Sequence, residues 1–513
     1  MGTQANKQRA KNTRLILQQN WALRALLSPL SFESVCTFLS RVLQEDKALA
    51  FEARRLPPHL ALQTIEAAAA YSCMTGGKPM NDDTFTRLCR FYSTFKDPED
   101  KRLLKDFGSV SPWLIKIERQ QFRLQSDGGY LTLGRPIRLF DRTSHLAKTD
   151  AALQARHGIG IDDWLAACCL AWAATRLKDV GTIDHDYVAE VPTSSVAPAR
   201  LQTCLSLLSW TPLELRTHFH STHPVDAPLQ WSTTATSLAQ RPLIQFDWGW
   251  IAPLPNLLVP ALQNGLYELA RDADEHSTMR EIGDSLENYV SDLFHRLPQA
   301  PTTLRERAIA RRASGGHCDC IFEFAESIVL VECKGIQSTR RTISIDAFVH
   351  SGETRQLAKA FRQVHDTATD IRNGRYDDLL SSSDKPLVAI IATYGTFPSV
   401  NHEWYLNHIL LPRYSLDNRG TDFDHRPLAM LPQVFDLNSL DHFASWLAIT
   451  GGDPGALIQQ GHDHLATHLS EWSRYLNTMI AGHSNPLHSF WREPIDRLWA
   501  ERFEFTKLPA ESQ

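Results

Sequence analysis

The sequence predicts an α/β fold in which a mixed β-sheet is flanked by helices. Three observations predict it: an amphipathic helical stripe over 279–297, three short strand-like segments within 303–334, and a long helical segment followed by a wholly apolar strand over 386–393. Strands that alternate with helices in this way are typical of a sheet with helices packed on its faces. We assign this fold to residues 240–440, with a boundary before it near 225–240.

Each element of the α/β region is predicted from its periodicity. The helix over 279–297 carries one apolar stripe, formed by Leu286, Tyr289, Val290, Leu293, Phe294 and Leu297. The strand over 386–393 is apolar throughout, as expected for a strand buried on both faces. The predicted elements are, in order, a strand and turn after Arg241, helices over 255–271 and 279–297, strands over 303–311, 317–324 and 328–334, a helix over 346–372 and the strand over 386–393.

The rest of the chain is predicted to be mainly helical. Residues 12–96 and 146–222 carry apolar side chains at helical spacing, and helical patterns return after about 435. Between them, residues 113–140 alternate around a turn sequence at 126–129, which predicts a β-hairpin. The predicted organisation is a helical region over 1–230 with a hairpin near 113–140, the α/β domain over 240–440 and a helical extension over 441–513.

The composition and the net charge give no chain-wide sign of nucleic-acid binding. The chain is 43% hydrophobic and 22% charged, with a net charge of −5, so any surface for nucleic acid must be local. Basic residues cluster at three places, and a solvated face is the alternative reading of each; the clusters are Lys7, Arg9, Lys11 and Arg14, then Arg305, Arg307, Arg311 and Arg312, and finally Arg340 and Arg341.

The expected compartment is the cytoplasm, with no membrane partner. Nine cysteines in 513 residues, without a secretion signal at the N-terminus, are typical of reduced thiols. The most apolar run, 164–174, is shorter than the roughly 20 residues that cross a bilayer.

The predicted hairpin over 317–334 contains the residues best suited to catalysis. Of three Glu-x-Lys tripeptides, only Glu332-Cys333-Lys334 ends an apolar strand, and residues two apart on a strand share a face. A two-residue loop at 325–326 would place Glu332 directly opposite Asp319, with Cβ atoms about 5 Å apart. A three-residue loop would instead pair Asp319 with Cys333 and separate the charges.

Asp319, Glu332 and Lys334 together predict a metal site with a positioned lysine. Two adjacent carboxylates repel unless a cation lies between them, and oxygen ligands suit Mg²⁺ or Mn²⁺. Such a cation can polarise a phosphate and acidify a bound water, while the lysine offsets developing negative charge. The alternative is a salt-bridged hairpin at the end of a sheet.

This region resembles the PD-(D/E)xK nuclease superfamily, which has the restriction-endonuclease-like fold. The resemblance covers about 240–440 and departs from the family pattern at Cys318, where that pattern has proline. It implies that Asp319, Glu332 and the carbonyl of Cys333 bind the metal and that Lys334 activates water. It further implies that Glu287 on the preceding helix completes the metal shell, and that Gln356 on the following helix contributes nearby.

The resemblance implies a Mg²⁺- or Mn²⁺-dependent nuclease that acts on DNA in preference to RNA, with a homodimer as the family's common state. A role as a bacterial phage-defence effector is an expectation from the combination of regions. Two alternatives remain. The domain could keep the fold and only bind nucleic acid, or the chain could be a sensor scaffold with zinc at Cys318, Cys320 and Cys333. Strand alternation places these three cysteines on the face opposite Asp319, which favours buried thiols over a zinc site.

Overall fold

The computed structural model describes residues 2–45, 55–94, 130–141, 146–177, 181–190, 196–222, 236–337, 350–397, 400–467 and 472–502. Contacts divide the chain into two compact units that interleave along the sequence. Unit 1 comprises 1–128, 153–269 and 498–513, and unit 2 comprises 129–152 and 270–497. These units differ from the three consecutive regions predicted from sequence, because the segment 129–152 belongs to unit 2.

The described elements are named here in chain order. The helices are α1 (Gly2–Leu27), α2 (Phe32–Glu45), α3 (Pro58–Tyr71), α4 (Asp82–Thr94), α5 (Tyr130–Leu139), α6 (Ala147–His157), α7 (Ile161–Leu177), α8 (His185–Glu190), α9 (Pro198–Leu207), α10 (Pro212–Thr222), α11 (Leu258–Ala273), α12 (Glu275–His295), α13 (Glu306–Ala310), α14 (Gly352–Arg372), α15 (Glu403–Tyr405), α16 (Leu411–Asp417), α17 (Leu437–Thr450), α18 (Pro454–Thr467), α19 (Trp472–Ile480) and α20 (His488–Arg502). A π-helical turn spans Leu406–Leu410, and short 3₁₀ turns span Ser237–Ala239 and Pro255–Leu257. The strands are β1 (Thr182–Asp184), β2 (Ser209–Trp210), β3 (Leu243–Phe246), β4 (Gly249–Ile251), β5 (Thr302–Arg305), β6 (Cys320–Glu323), β7 (Ile328–Lys334), β8 (Leu387–Thr393) and β9 (Gln433–Asp436).

Unit 1 is mainly helical and includes a small mixed sheet. Helix α2 buries Val35, Leu39 and Val42, which recur at helical spacing and face the packed interior. The sheet has the strand order β1-β4-β3-β2, and its β2–β3 pair is parallel while the other pairs are antiparallel. The helices predicted over 12–96 are thus confirmed for the described residues of α1 to α4.

Unit 2 is built on a five-stranded mixed sheet with the order β5-β6-β7-β8-β9. The β5–β6 and β6–β7 pairs are antiparallel, and the β7–β8 and β8–β9 pairs are parallel. Strand β8 is buried along its whole length, as its apolar sequence predicts. The mixed α/β class predicted from sequence is therefore confirmed.

Helices cover both faces of this sheet. On one face, Phe294 of α12 stacks on Phe322 of β6 with ring centroids 4.4 Å apart. On the other, Val364 and Ala368 of α14 belong to a buried cluster with Ile321 of β6. Side-chain caps fix where these helices begin, because Asp274 accepts backbone N–H bonds at the start of α12 and Ser351 does so for α14.

Of the predicted strands, one is a helix where the structure describes it and another is shorter than predicted. Residues 130–139 of the expected hairpin form helix α5, in which Arg135 is buried and paired with Asp441, while 113–129 lie outside the described residues. The strand predicted over 303–311 ends at Arg305, and helix α13 follows. Within the described part of the chain, no helix is long and apolar enough to cross a membrane.

Candidate active site

The β6–β7 hairpin has the register that the sequence predicts. Phe324 N–H donates to the carbonyl of Ser327 at 2.9 Å, which closes a two-residue loop. Cys320 then pairs with Val331, so the next step of the ladder brings Asp319 beside Glu332. The predicted convergence of the two acidic residues depends on this loop length, and the loop length is confirmed.

Asp319 lies where its strand leaves the regular ladder. Its backbone N–H donates to the carbonyl of Val331 at 3.1 Å, and its carboxylate accepts the backbone N–H of Cys333 at 2.6 Å. The carbonyl of Lys334 faces β8, where it accepts from Tyr394 N–H at 3.1 Å. Because successive carbonyls of a strand point to opposite edges, the carbonyl of Cys333 faces the edge occupied by Asp319.

Lys334 contacts both Glu332 and helix α14. Its ammonium forms an ion pair with the Glu332 carboxylate and donates to Oε1 of Gln363 at 2.9 Å. The side chain of Glu332 is 1% exposed and that of Lys334 is 12% exposed, so this pair is nearly closed to water. Asp319 and Glu287 are half-buried, and solvent therefore reaches the charged group from their side.

The site holds its carboxylates in an unfavourable electrostatic environment. Burial, and next the charge of Asp319, raise the pKa of Glu332 to about 8 even though Lys334 opposes the shift. Burial together with Asp319 and Glu306 raises the pKa of Glu287 to about 8 as well. Burial also raises the pKa of Asp319, against the hydrogen bond from Cys333 N–H. A bound cation would relieve all three shifts.

Helix α14 positions the chain that leads into Asp319. Gln363 donates to the carbonyl of His317 at 2.9 Å, Thr367 accepts the backbone N–H of Cys318 at 3.0 Å, and Asp370 accepts that of Ser314 at 2.7 Å. These acceptors and donors recur at helical spacing along one side of α14. We call them the α14 polar row, formed by Gln363, Asp366, Thr367 and Asp370.

The structure brings together four of the five side chains predicted for the site. Glu287, Asp319, Glu332 and Lys334 interact electrostatically with one another, whereas Gln356 is exposed on α14. The glutamine that contacts the lysine is Gln363, two helical turns and about 10 Å further along nearly the same side of α14. Because the two glutamines are seven residues apart, they lie on nearly the same side of the helix, and the sequence could therefore have suggested Gln363 as well.

Glu306 is a further acidic residue that the sequence reasoning missed. It begins α13 directly after β5, is exposed, and acts on both Asp319 and Glu287. The sequence does not single out Glu306, because the strand predicted over 303–311 hides the end of β5 and the start of α13 at this residue.

The three cysteines of the hairpin do not share one face as predicted. Cys318 packs in the buried cluster on the α14 side with Ile321, whereas the alternation of β6 turns Cys320 away from that side. The alternation fails at Cys318 because the chain departs from the ladder at Asp319. Burial raises the pKa of the Cys318 and Cys333 thiols well above the ordinary range, so these groups are neutral.

The donors at the hairpin end fit a hard divalent cation. The second carboxylate oxygen of Glu332, Oε2, is buried and has no hydrogen-bond partner among the described residues. The carboxylate of Asp319 and the carbonyl of Cys333 face the same edge, and Glu287 lies within electrostatic range. Across the described ranges, no group of three or more His, Cys, Asp or Glu side chains is already arranged as a metal-ligand cluster.

Comparison with protein-family models, curated proteins and solved structures found no match to this chain.

Proposed function

We propose that the chain is a metal-dependent nuclease with a restriction-endonuclease-like domain in unit 2. The observation that carries the proposal is the buried, unpartnered Oε2 of Glu332 beside Asp319 and Lys334. An unsatisfied carboxylate oxygen destabilises a fold unless a ligand satisfies it. Mg²⁺ or Mn²⁺ would satisfy this oxygen, because both cations bind oxygen ligands and keep further positions for water and substrate.

Each residue of the site has a separate task in this proposal. Asp319, Glu332 and the Cys333 carbonyl hold the cation, and Glu287 completes its shell. When bound, the cation polarises the scissile phosphate and lowers the pKa of a water. Gln363 holds the Lys334 ammonium at 2.9 Å, where it can orient the attacking water and offset charge that develops on the phosphate.

The rim of the site supports a polyanionic substrate. Arg305 on β5 pairs through its backbone with Cys320, the neighbour of Asp319, and donates to Asn288, the neighbour of Glu287, at 2.6 Å. Arg307 and Arg311 follow on and just after α13, and both are exposed. Cations beside a metal site suit a phosphodiester backbone. These cations support a nucleic acid as the substrate. DNA before RNA, and action in bacterial phage defence, stay part of the proposal as expectations from the sequence.

Degradation assays on the full chain test this function. Single- and double-stranded DNA and RNA are incubated with Mg²⁺ or Mn²⁺, using the unaltered chain, Lys334→Ala and Lys385→Ala. Lys385 pairs with Glu323 at the other end of the hairpin and is the matched control. We expect cation-dependent cleavage that Lys334→Ala abolishes and Lys385→Ala keeps. Equal cleavage by Lys334→Ala would reject the role of the lysine, and cation-independent binding without cleavage of any substrate would favour the inactive binding domain.

A further inference from the structure

The first helix of unit 1 exposes two arginines and a tryptophan among its described side chains. Residues 1–32 contain five basic and no acidic side chains in a chain whose net charge is −5. On α1, Leu23 and Leu27 are fully buried, while Arg14, Gln18 and Trp21 are exposed. The three exposed residues recur at intervals of four and three, so they form one stripe on the side opposite the buried leucines. Lys7 and Lys11 precede Arg14 at the same spacing in the sequence.

The tryptophan is held in place although it faces solvent. Trp21 is 66% exposed, and the guanidinium of Arg24 lies 5.5 Å from its ring centre and 5.8 Å from that of Tyr71. Tyr71 in turn packs edge-to-face against Phe219 of α10 at 5.8 Å. This sequence of contacts fixes a flat aromatic surface beside a cation. We call Trp21, Arg24 and Tyr71 the α1 platform.

The charges and rings of this face match a single nucleic-acid strand. Neither Arg14 nor Arg24 forms an ion pair with a carboxylate of the described residues, so both cations can meet phosphates. Stacking of an unpaired base on an exposed ring contributes about 1–3 kcal/mol per base. A helix that lies on a membrane carries its tryptophan on the apolar face, but Trp21 lies on the side opposite Leu23 and Leu27.

We propose that Arg14 and the α1 platform bind single-stranded nucleic acid, with phosphates at Arg14 and Arg24 and a base stacked on Trp21. This gives unit 1 a binding activity of its own, which does not depend on cleavage by unit 2.

Fluorescence anisotropy on the full chain tests the proposal. The parent is Lys334→Ala, which leaves the probe uncut, and the probes are labelled oligothymidine and oligouridine of about 20 nucleotides and a duplex of equal length. Affinity is measured over a range of salt concentrations. Arg14→Ala with Arg24→Ala should make the slope of log K against log [salt] shallower by about 1.4, that is, about 0.7 for each cation removed. Arg474→Ala, which removes an exposed arginine of α19, is the matched control and should leave the slope unchanged.

The aromatic contact has its own pair of variants. Trp21→Ala should weaken single-strand binding about tenfold or more with little change in salt slope, and Trp21→Phe should keep most of the affinity. Leu213→Ala controls for loss of an exposed apolar side chain, since Leu213 is 68% exposed on α10. Binding unaffected by the Trp21 and arginine variants would overturn the proposal. So would duplex binding as tight as single-strand binding, or Trp21-dependent binding to phosphatidylserine vesicles without oligonucleotide binding.

Discussion

Glu323 and Glu332 lie at opposite ends of the β6–β7 hairpin, and each pairs with a lysine. Glu323 accepts from Lys385 at 2.9 Å, from the Ser381 backbone N–H at 3.0 Å and from the Ser381 hydroxyl. Burial acts to raise its pKa, but these donors outweigh burial and hold the pKa below the ordinary value. Among the described residues, Glu332 accepts from one donor, Lys334, and its pKa rises to about 8.

The two ends of the hairpin differ in whether the fold itself satisfies the buried carboxylate. A carboxylate surrounded by donors is satisfied within the fold and gains nothing from a ligand. A buried carboxylate with a free oxygen and a neighbouring Asp319 costs stability, and a fold retains such a group where a ligand or a reaction uses it.

The largest effect should separate Glu332→Gln from Glu323→Gln. Loss of a charged group that acts on the transition state typically lowers the rate about 100- to 1,000-fold, so Glu332→Gln should lose cleavage while it stays folded. Glu323→Gln should cleave normally but lose about 2 kcal/mol of stability, because its charged hydrogen bonds are weakened. Cleavage rates and urea denaturation of both variants check this. Similar behaviour of the two variants in both measurements would remove the distinction.

The stability of the metal-free chain should depend on pH in opposite ways at the two ends. The pKa of Glu332 is raised from 4.5 to about 8, so the folded state keeps a proton that the unfolded chain releases between these values. The free energy of unfolding should therefore fall as pH rises from about 4.5 to about 8, by an amount of the order of a few kcal/mol. The stability that Glu323 contributes is fully present above about pH 4.5. It is lost as the pH falls through the lower pKa that Glu323 has in the folded state.

Urea denaturation with a chelator present measures both slopes. Glu332→Gln should make the decline above about pH 5 shallower, and the part that remains comes from Glu287, whose pKa is also raised to about 8. Glu323→Gln should flatten the acid side instead. An unchanged decline in Glu332→Gln would show that the buried carboxylate is not its source.

A smaller effect should distinguish the two glutamines of α14. Gln363→Ala should lower the cleavage rate about tenfold, because Lys334 loses the acceptor that orients it. Gln356→Ala should change the rate less than about twofold, since that side chain is exposed. Single-turnover rates at saturating cation report this difference. Equal losses in the two variants would place the functional glutamine elsewhere.

The smallest effect should be thermal stabilisation by Mg²⁺. At ten times its dissociation constant a ligand adds about 1.4 kcal/mol, or roughly 3–5 °C for a unit of this size. Because cation and proton compete for Glu332, the shift should be larger near pH 8.5 than near pH 6, on either side of the pKa of about 8. Glu332→Gln should abolish the thermal shift that Mg²⁺ produces, and Glu323→Gln should keep it. Thermal melts with and without Mg²⁺ measure this shift.

The hairpin was predictable because its geometry is local. A two-residue loop and the alternation of a strand suffice to bring Asp319, Glu332 and Lys334 together, and both are visible in nineteen consecutive residues of sequence from 317 to 335. The position of Gln363 was less accessible. Two glutamines lie on nearly the same side of α14, and only the height of the helix relative to β7 decides between them.

Helix α5 could not be predicted because distant contacts decide it. Apolar and polar residues alternate in its sequence as in a strand, and Pro136 is unfavourable inside a helix. The helix forms nevertheless, and its Arg135 pairs with Asp441, more than three hundred residues away in the sequence. A Cβ at position 134 would lie 2.0 Å from the carbonyl oxygen of Trp491, so glycine there permits close packing of α5. Such partners override local propensity and leave no trace in the segment itself.

The α14 polar row connects both Lys334 and the segment 314–318 to the same helix. Gln363 accepts a hydrogen bond from the Lys334 ammonium and donates one to the carbonyl of His317. Asp370 accepts one from the hydroxyl of Ser314 in the same segment. A displacement of α14 would therefore move both the Lys334 ammonium and the segment that leads into Asp319, whereas Glu332 lies within the β7–β8 ladder. If unit 2 acts as proposed, a ligand that shifted α14 would change the position of Lys334 without contacting Asp319 or Glu332.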